Sequence, residues 1–286
     1  MSLGRRDFLA VTGSAVVGLI GGSWSGDGAQ ARAPVSNSQV PGFYRFSLGQ
    51  FQLTVVSDGT LAFPAEVVWP EAPKAERDAV LASDFQPTDK STFQVNVLAV
   101  NTGDRLVLID AGSRGRMQPT AGRLLQNLAA AEIKPEEVDT VLTTHAHPDH
   151  LWGVTNASDT ERTFPKAEYV IGESELNFWM QSQRPLESHA VWGDVYRQSM
   201  KTLAAIKDRI RTVKPESEVV PGIAAIATPG HTSLQIASGS NQLLCTANVV
   251  ESRAVSFGPP DWHGQFDLDV DQGGEDSPSL PGSMCG

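Results

Sequence analysis

Three histidines and an aspartate fall within six residues of the stretch THAHPDHLWG, residues 144–153. A metal site needs several nitrogen or oxygen donors that converge within about 2.0–2.2 Å of one ion. His145 and His147 are two residues apart, so their side chains point to the same side if the backbone stays extended. The proline that follows bends the chain and turns Asp149 and His150 toward a neighbouring point. We therefore predict a site for one or two metal ions. The alternative is a polar loop whose histidines make only hydrogen bonds.

Short apolar runs alternate with turn residues along most of the chain, which predicts several strands and a few helices. The first half is predicted to contain a hairpin that turns near Gly49, an Asp58-Gly59 turn, a hairpin that turns at Asn101–Asp104, and a helix opened by Pro119 and Thr120. The second half is predicted to contain strands at 138–142 and 167–171, helices at 173–181 and 191–210, and strands over 223–249. This order favours a sandwich of two sheets with helices packed outside.

The two ends of the chain differ from the middle. Residues 1–33 have paired arginines, an apolar run of 13 residues and then small residues, which is the plan of a secretory signal. Arg5-Arg6 resembles the twin-arginine motif that addresses folded chains for export; an ordinary secretory signal or an anchor is the alternative. The run is shorter than the about 20 residues of a spanning helix. We expect a periplasmic or secreted protein without stable membrane insertion after cleavage, a domain at 34–271 and a disordered tail at 272–286.

Composition narrows the classes of partner. The chain has 286 residues, 40% of them hydrophobic, and a formal net charge of −11. No cluster of lysine and arginine forms a basic stripe, so we expect no nucleic-acid binding. The two cysteines, Cys245 and Cys285, are too few for a disulfide framework. We expect a small-molecule substrate, and the formation of a homodimer stays open.

The segment 145–150 resembles the H-x-H-x-D-H motif of the metallo-β-lactamase fold hydrolases. Three other segments match this family in the same order: SDG at 57–59, LIDAG at 108–112 and TPGHT at 228–232. Residues 41–64 and the pair Phe178-Trp179 are most similar to the methyl parathion hydrolase branch, which is related to the N-acyl-homoserine lactonases. The resemblance implies an α/β fold, a four-layer αββα sandwich.

The resemblance also implies a set of metal ligands. It assigns His145, His147 and His231 to a first ion. It assigns Asp149 and His150 to a second ion. The first set leaves one position open for water, which is the pattern of a catalytic mononuclear zinc site.

Two features depart from the family pattern. Asn248 stands where the family has an aspartate that bridges the two ions. An amide is neutral and has one good acceptor oxygen, so it bridges two cations poorly. No histidine follows His263, although the family places a last ligand near the C-terminus; His263 itself is the alternative donor. We expect one firmly held Zn²⁺ and a weakly held second ion, with other divalent metals open, and a C-terminal portion that is incomplete from about Gln272.

The resemblance implies hydrolysis of ester, lactone or phosphotriester bonds by metal-bound hydroxide. In this scheme Asp149 orients the water or takes its proton. Asp58 and Asp110 lie behind the ligands and fix the histidine tautomers; for Asp58, turn capping is the alternative. The apolar wall of the substrate pocket is assigned to Phe178, Trp179 and Met117.

Two other functions stay open at this stage. The first is an impaired relative that keeps the fold and one metal ion but has little activity, which Asn248 and the missing last histidine favour. The second is a mononuclear-iron oxidoreductase of the same fold, since three histidines can also bind iron.

Overall fold

A seven-stranded sheet is built from two antiparallel hairpins followed by three parallel strands. Its strands are neighbours in chain order, β1 to β7. β1 to β4 are antiparallel, and β5, β6 and β7 each pair in parallel with the strand before them. The bounds are β1 Phe43–Leu48, β2 Phe51–Pro64, β3 Lys90–Asn101, β4 Leu106–Ile109, β5 Thr140–Thr143, β6 Glu168–Gly172 and β7 Ile210–Val213.

The computed structural model describes residues 40–181, 192–228, 231–250, 252–258, 262 and 264–266. The predicted signal at residues 1–33, the predicted tail at 272–286 and His263 lie outside these ranges. A second, four-stranded antiparallel sheet has the order β11-β10-β9-β8. Its bounds are β8 Glu218–Val220, β9 Ile223–Thr228, β10 His231–Ser238 and β11 Asn241–Cys245.

The helices that pack extensively on a sheet in the described part of the chain all lie on the seven-stranded sheet. None of the described helices is long and apolar enough to cross a membrane. The bounds are α1 Ala65–Val68, α2 Lys74–Ser83, α3 Leu124–Ala130, α4 Pro148–Leu151, α5 Glu173–Gln181, α6 Trp192–Ile206 and α7 Arg253–Ser256.

Two apolar cores hold these layers together. The core between the helices and the larger sheet includes Leu128, Trp179 and Leu203 from helices, and Leu108, Val141 and Tyr169 from strands. The core between the two sheets includes Leu53, Val107, Leu142, Val170, Ile223 and Leu234. Each fully buried aliphatic side chain of this kind contributes about 1.5–3 kcal/mol. The predicted α/β fold with two facing sheets is confirmed. Within the described ranges, one helix layer and two sheets account for three layers of the predicted four-layer sandwich.

Two local predictions in the first half are wrong. The Asp58-Gly59 pair does not end a strand, because β2 continues through it with a bulge between Ser57 and Gly59. The helix predicted from Pro119 begins only at Leu124. The preceding residues stay outside the helix because the Thr120 carbonyl accepts the Thr60 N–H at 3.1 Å, which ties this loop to β2.

Gly153, just after the histidine segment, lies against the loop that follows β4. A Cβ at this position would be 1.7 Å from the carbonyl oxygen of Ala111. Because the obstacle is backbone, Gly153→Ala should lower the free energy of unfolding by about 3 kcal/mol or more, measured by urea denaturation. Gly239→Ala is the matched control, since Gly239 has open space around it and only a positive φ of 64°, which costs about 1–2 kcal/mol. Equal losses in the two variants would contradict this packing.

Candidate metal centre

The histidine segment leaves the larger sheet at the carboxyl end of β5. All four residues of β5 are buried. His145 follows this strand by two residues and so lies close to the end of a buried strand. His147 is the N-cap of the short helix α4, with extended backbone at φ −69° and ψ 159°, and Pro148 occupies the first turn. Proline suits this position because the first N–H groups of a helix have no partner in it. Asp149 and His150 therefore project from a helical turn, as the bend at the proline predicts.

Four imidazole rings meet at this edge. The ring centroid of His145 lies 4.5 Å from that of His147, 4.0 Å from that of His150 and 4.6 Å from that of His231. His231 is the first residue of β10 and so comes from the other sheet. The packing of one sheet on the other therefore adds the distant histidine to the local three.

Two ring nitrogens of this cluster are buried without a hydrogen-bond partner, the Nε2 atoms of His145 and His150. Their Nδ1 atoms are engaged, the first 3.1 Å from the Thr144 hydroxyl and the second 2.8 Å from the Asp110 carboxylate. A buried polar atom without a partner is costly, and a cation would remove that cost. Imidazole nitrogens with a nearby carboxylate are also the donors that zinc prefers. The residues thus fit a divalent cation.

The candidate donors lie close together but do not form a complete coordination shell. Among the described residues, no group of three or more His, Cys, Asp or Glu side chains is already arranged to hold a metal ion.

Asp110 follows β4 and orients His150. Its φ is +65°, a conformation that costs a residue with a side chain about 1–2 kcal/mol. Its carboxylate accepts the Thr144 N–H at 2.8 Å and the Thr144 hydroxyl at 3.0 Å, and it lies 2.8 Å from His150 Nδ1. With the Nδ1 proton directed at Asp110, Nε2 is the atom left to bind a metal.

Asp58, unlike Asp110, binds a loop and the start of a helix. Its buried carboxylate accepts the Ser113 N–H at 2.9 Å, the Ser113 hydroxyl at 2.8 Å and the Leu124 N–H at 2.9 Å. It therefore joins the loop after β4 to the start of α3. These bonds correspond to the capping alternative, because they go to a loop and a helix start and not to a histidine.

Three of the four histidines are neutral at pH 7. Burial lowers the pKa of His147 to about 3 and the pKa of His231 to about 4, and it lowers the pKa of His145 well below its ordinary value. The positive charge of His150 lowers all three further. Neutral imidazole is the form that binds a metal.

His150 carries the opposite charge state in the metal-free chain. Burial lowers its pKa, but the carboxylates of Asp149 and Asp110 outweigh burial and leave the pKa well above its ordinary value. Its Nε2 atom lies 3.3 Å from Asp149 Oδ2, an ion pair without hydrogen-bond geometry. A metal ion at this point would take the place of the His150 proton.

A cavity of about 710 Å³ opens beside the rings. His147, Asp149 and His150 are among the residues that line it, and most of its wall is apolar. Met117 and Asn248 also line it. The aromatic part of the wall consists of Phe46, Phe63, Phe93, Trp192 and Phe266.

Phe178 and Trp179, the aromatic pair assigned to the pocket, are not in the described wall of this cavity. Trp179 is only 1% exposed and stacks on Tyr196, with ring centroids 6.0 Å apart, in the core beneath the helices. Phe178 packs at the edge of the same core. The assignment is corrected because the indole N–H of Trp179 donates to Glu175 at 2.7 Å, which turns the ring inward.

Two residues that line or support the site were not found from the sequence. Trp192 stacks on His147 with ring centroids 5.3 Å apart and lines the cavity. Glu175 accepts the Ala146 N–H at 2.7 Å, and burial raises its pKa to about 7. An aromatic residue in an amphipathic helix usually indicates core packing, and a glutamate in a helix usually indicates a solvated surface, so neither pattern draws attention.

The lowered pKa of His231 makes stability depend on pH. In the unfolded chain a histidine titrates near 6.5, whereas the pKa of His231 in the folded chain is about 4. Stability from the neutral ring is therefore present above pH 6.5 and is lost as the pH falls toward 4, at up to about 1.4 kcal/mol per pH unit. With a chelator present, His231→Asn should lose less unfolding free energy than the wild type between pH 7 and pH 4.5. Asp104→Asn, an exposed hairpin variant, should follow the wild type. Parallel curves for His231→Asn and the wild type would contradict a buried neutral His231.

Comparisons with known proteins agree with this geometry. The family model described as the metallo-beta-lactamase superfamily matches residues 91–273. No curated protein matches the chain by sequence. Among solved structures, the dizinc quorum-quenching lactonase AidC, in complex with a product, is 24% identical with a TM-score of 0.76, over 82% of this chain and 84% of that one. The hydrolase AbOPH of the beta-lactamase superfamily is 27% identical with a TM-score of 0.75, over 84% and 85%.

A structure of a quorum-quenching N-acyl homoserine lactone lactonase is 16% identical with a TM-score of 0.57, over 82% of this chain and 86% of that chain. At this identity the likeness concerns the fold alone. The family model, in contrast, covers more than half of the sequence. The chain therefore belongs to the metallo-beta-lactamase superfamily, as the histidine motif predicts, and is a metallo-hydrolase of that superfamily.

Proposed function

We propose that this chain is an exported metal-dependent hydrolase of ester, lactone or phosphotriester bonds. The observation that carries the proposal is the cluster of four histidine rings, two of whose buried Nε2 atoms have no hydrogen bond, beside a cavity whose wall is mostly apolar. A substrate that has a polar scissile bond and an apolar substituent fits such a cavity. The similarity to a superfamily hydrolase supports hydrolysis, and the similarity to a lactonase supports a lactone as one candidate substrate.

The site residues have two proposed roles: some bind metal ions, and one transfers a proton. His145, His147 and His231 would hold one divalent ion, and Asp149 with His150 would hold a second. Bound there, such an ion supplies a Lewis acid that activates water and polarises a C=O or P=O group. Asp149 lines the cavity, and its carboxylate would orient the water or accept its proton.

Export rests on residues 1–33, with their paired arginines and short apolar run. A twin-arginine route suits a protein that folds and takes up metal before it crosses the membrane. The test is to express the full-length chain in a bacterial host and look for a chain shortened by the signal in the periplasmic fraction; a full-length chain that stays in the cytoplasmic fraction would overturn this part of the proposal.

Asp149→Asn should lower kcat/KM of the zinc-loaded protein by about 100-fold or more, because the amide cannot take a proton from water. The measurement is hydrolysis of a lactone and of a phosphotriester by the purified protein. Asp104→Asn, in the exposed turn between β3 and β4, makes the same chemical change far from the site and should keep the wild-type rate. Failure of the wild type on esters, lactones and phosphotriesters alike would overturn the proposal.

An impaired relative is the second candidate, and Asn248 is the observation that favours it. This neutral amide lines the cavity together with Asp149 and His150, where a second ion would need negative charge. In that case the protein keeps the fold, binds one ion and turns over its substrate slowly.

Asn248→Asp should raise the number of zinc ions that stay bound per chain after dialysis, because a carboxylate brings charge and two equivalent oxygens. Elemental analysis of the dialysed protein is the measurement. Asn241→Asp, an exposed change at the start of β11, adds the same charge outside the cavity and should leave the zinc content unchanged. If both variants match the wild type, Asn248 does not stand at the bridging position.

A further inference from the structure

We propose that Glu175 and Ser199 are positioning residues that hold the backbone on both sides of Ala146, and so set the relative placement of His145 and His147. Glu175 belongs to α5 and Ser199 to α6, so two different helices act on one residue between two proposed ligands. The inference rests on the proposed metal site for its consequence, but its contacts exist in the metal-free chain.

Both backbone polar groups of Ala146 are bound by side chains. The Ala146 N–H donates to Glu175 Oε1 at 2.7 Å, and the Ser199 hydroxyl donates to the Ala146 carbonyl oxygen at 3.0 Å. The N–H belongs to the peptide group that follows His145, and the carbonyl belongs to the peptide group that precedes His147. Each bond therefore restrains the peptide that carries one of the two histidines.

The Ala146 groups have no strand or helix to satisfy them. β5 ends at Thr143, and α4 begins at Pro148. Ala146 is fully buried, so water does not reach its peptide groups. A buried N–H or C=O needs a partner, and in this segment the partners come from α5 and α6.

Each anchoring side chain is itself held by a tryptophan. The Trp179 indole N–H donates to the same Oε1 atom of Glu175 at 2.7 Å, and the Trp152 indole N–H donates to the Ser199 hydroxyl oxygen at 3.0 Å. Trp179 and Trp152 are both buried. Ser199 thus receives one hydrogen bond and gives one, which fixes the direction of its proton toward Ala146.

Burial of the Glu175 carboxylate costs free energy, which its contact with Ala146 must offset. Part of the residue is exposed, but its carboxylate is shielded, and burial raises its pKa to about 7 even though the two N–H donors oppose the shift. A neutral surface residue in α5 would avoid this cost. The arrangement is understandable if a rigid Ala146 is needed to present two rings, because preorganised ligands bind a metal more tightly than mobile ones.

The test compares zinc affinity in variants of the full chain, by competition with a chromophoric chelator. Glu175→Leu and Ser199→Ala should each weaken zinc binding about 10–100-fold, the usual effect of losing a group that orients ligands. Glu175→Gln should stay within about three-fold of the wild type, because its amide oxygen can accept both N–H donors. Glu173→Leu and Ser174→Ala, two exposed positions at the start of α5, are the matched controls and should bind zinc as the wild type does.

A second measurement separates positioning from general loss of stability. In the metal-free protein, amide exchange at Ala146 should become faster in Glu175→Leu, while Leu142 in β5 keeps its protection. In the double variant, Glu175→Leu with Ser199→Ala, the loss of zinc affinity should be smaller than the sum of the single losses, because both act on one backbone segment.

The possible results have distinct meanings. Wild-type zinc affinity in folded Glu175→Leu and Ser199→Ala overturns the positioning role. A Glu175→Gln variant as weak as Glu175→Leu also overturns it, because the negative charge then matters and the geometry does not. If the wild type itself binds no zinc, the proposed function fails, whereas the exchange of the Ala146 amide still decides whether the two side chains hold this segment. If Glu175→Leu does not fold, Ser199→Ala and Glu175→Gln decide the question.

Discussion

The parallel pairing of β4 with β5 places a carboxylate directly behind the histidine segment. Ile109 pairs with Leu142, so the residues that follow the two strands, Asp110 and Thr144, meet at the same edge of the sheet. Carboxyl ends of neighbouring parallel strands are a common place for binding sites because their loops converge there. Here Asp110 orients His150 and also binds Thr144, the residue before His145, at the end of the sheet. The other parts of the site are arranged around that contact.

Charge is distributed unevenly among the four rings. Burial keeps His145, His147 and His231 neutral, while Asp149 and Asp110 keep His150 protonated in the metal-free chain. Three neutral donors are ready for a cation, and one position must first release a proton. The proposed first and second metal sites therefore differ in electrostatics as well as in the number of ligands, and the neutral Asn248 increases that difference.

Much of the fold is readable from local patterns. Alternating apolar residues predict the hairpins of β1 to β4, and the helix predicted at Glu173–Gln181 has those bounds in the structure. The Asp58-Gly59 pair is different, because turn residues also suit a bulge and local chemistry does not distinguish the two. The late start of α3 has a similar cause, since β2 holds the preceding loop through contacts distant in sequence.

The sequence by itself predicted the candidate donors, because three histidines and an aspartate within six residues after an apolar run have few other uses. It also determined the family, through motifs that occur in a set order. Only the tertiary structure decided which side chains support these donors. Asp110 touches a histidine and Asp58 does not, Trp192 and not Trp179 lines the cavity, and Glu175 and Ser199 reach Ala146 from two helices. Such contacts depend on the rotation and packing of whole elements, and periodicity reports which face of a helix is apolar without reporting which distant backbone group that face will meet.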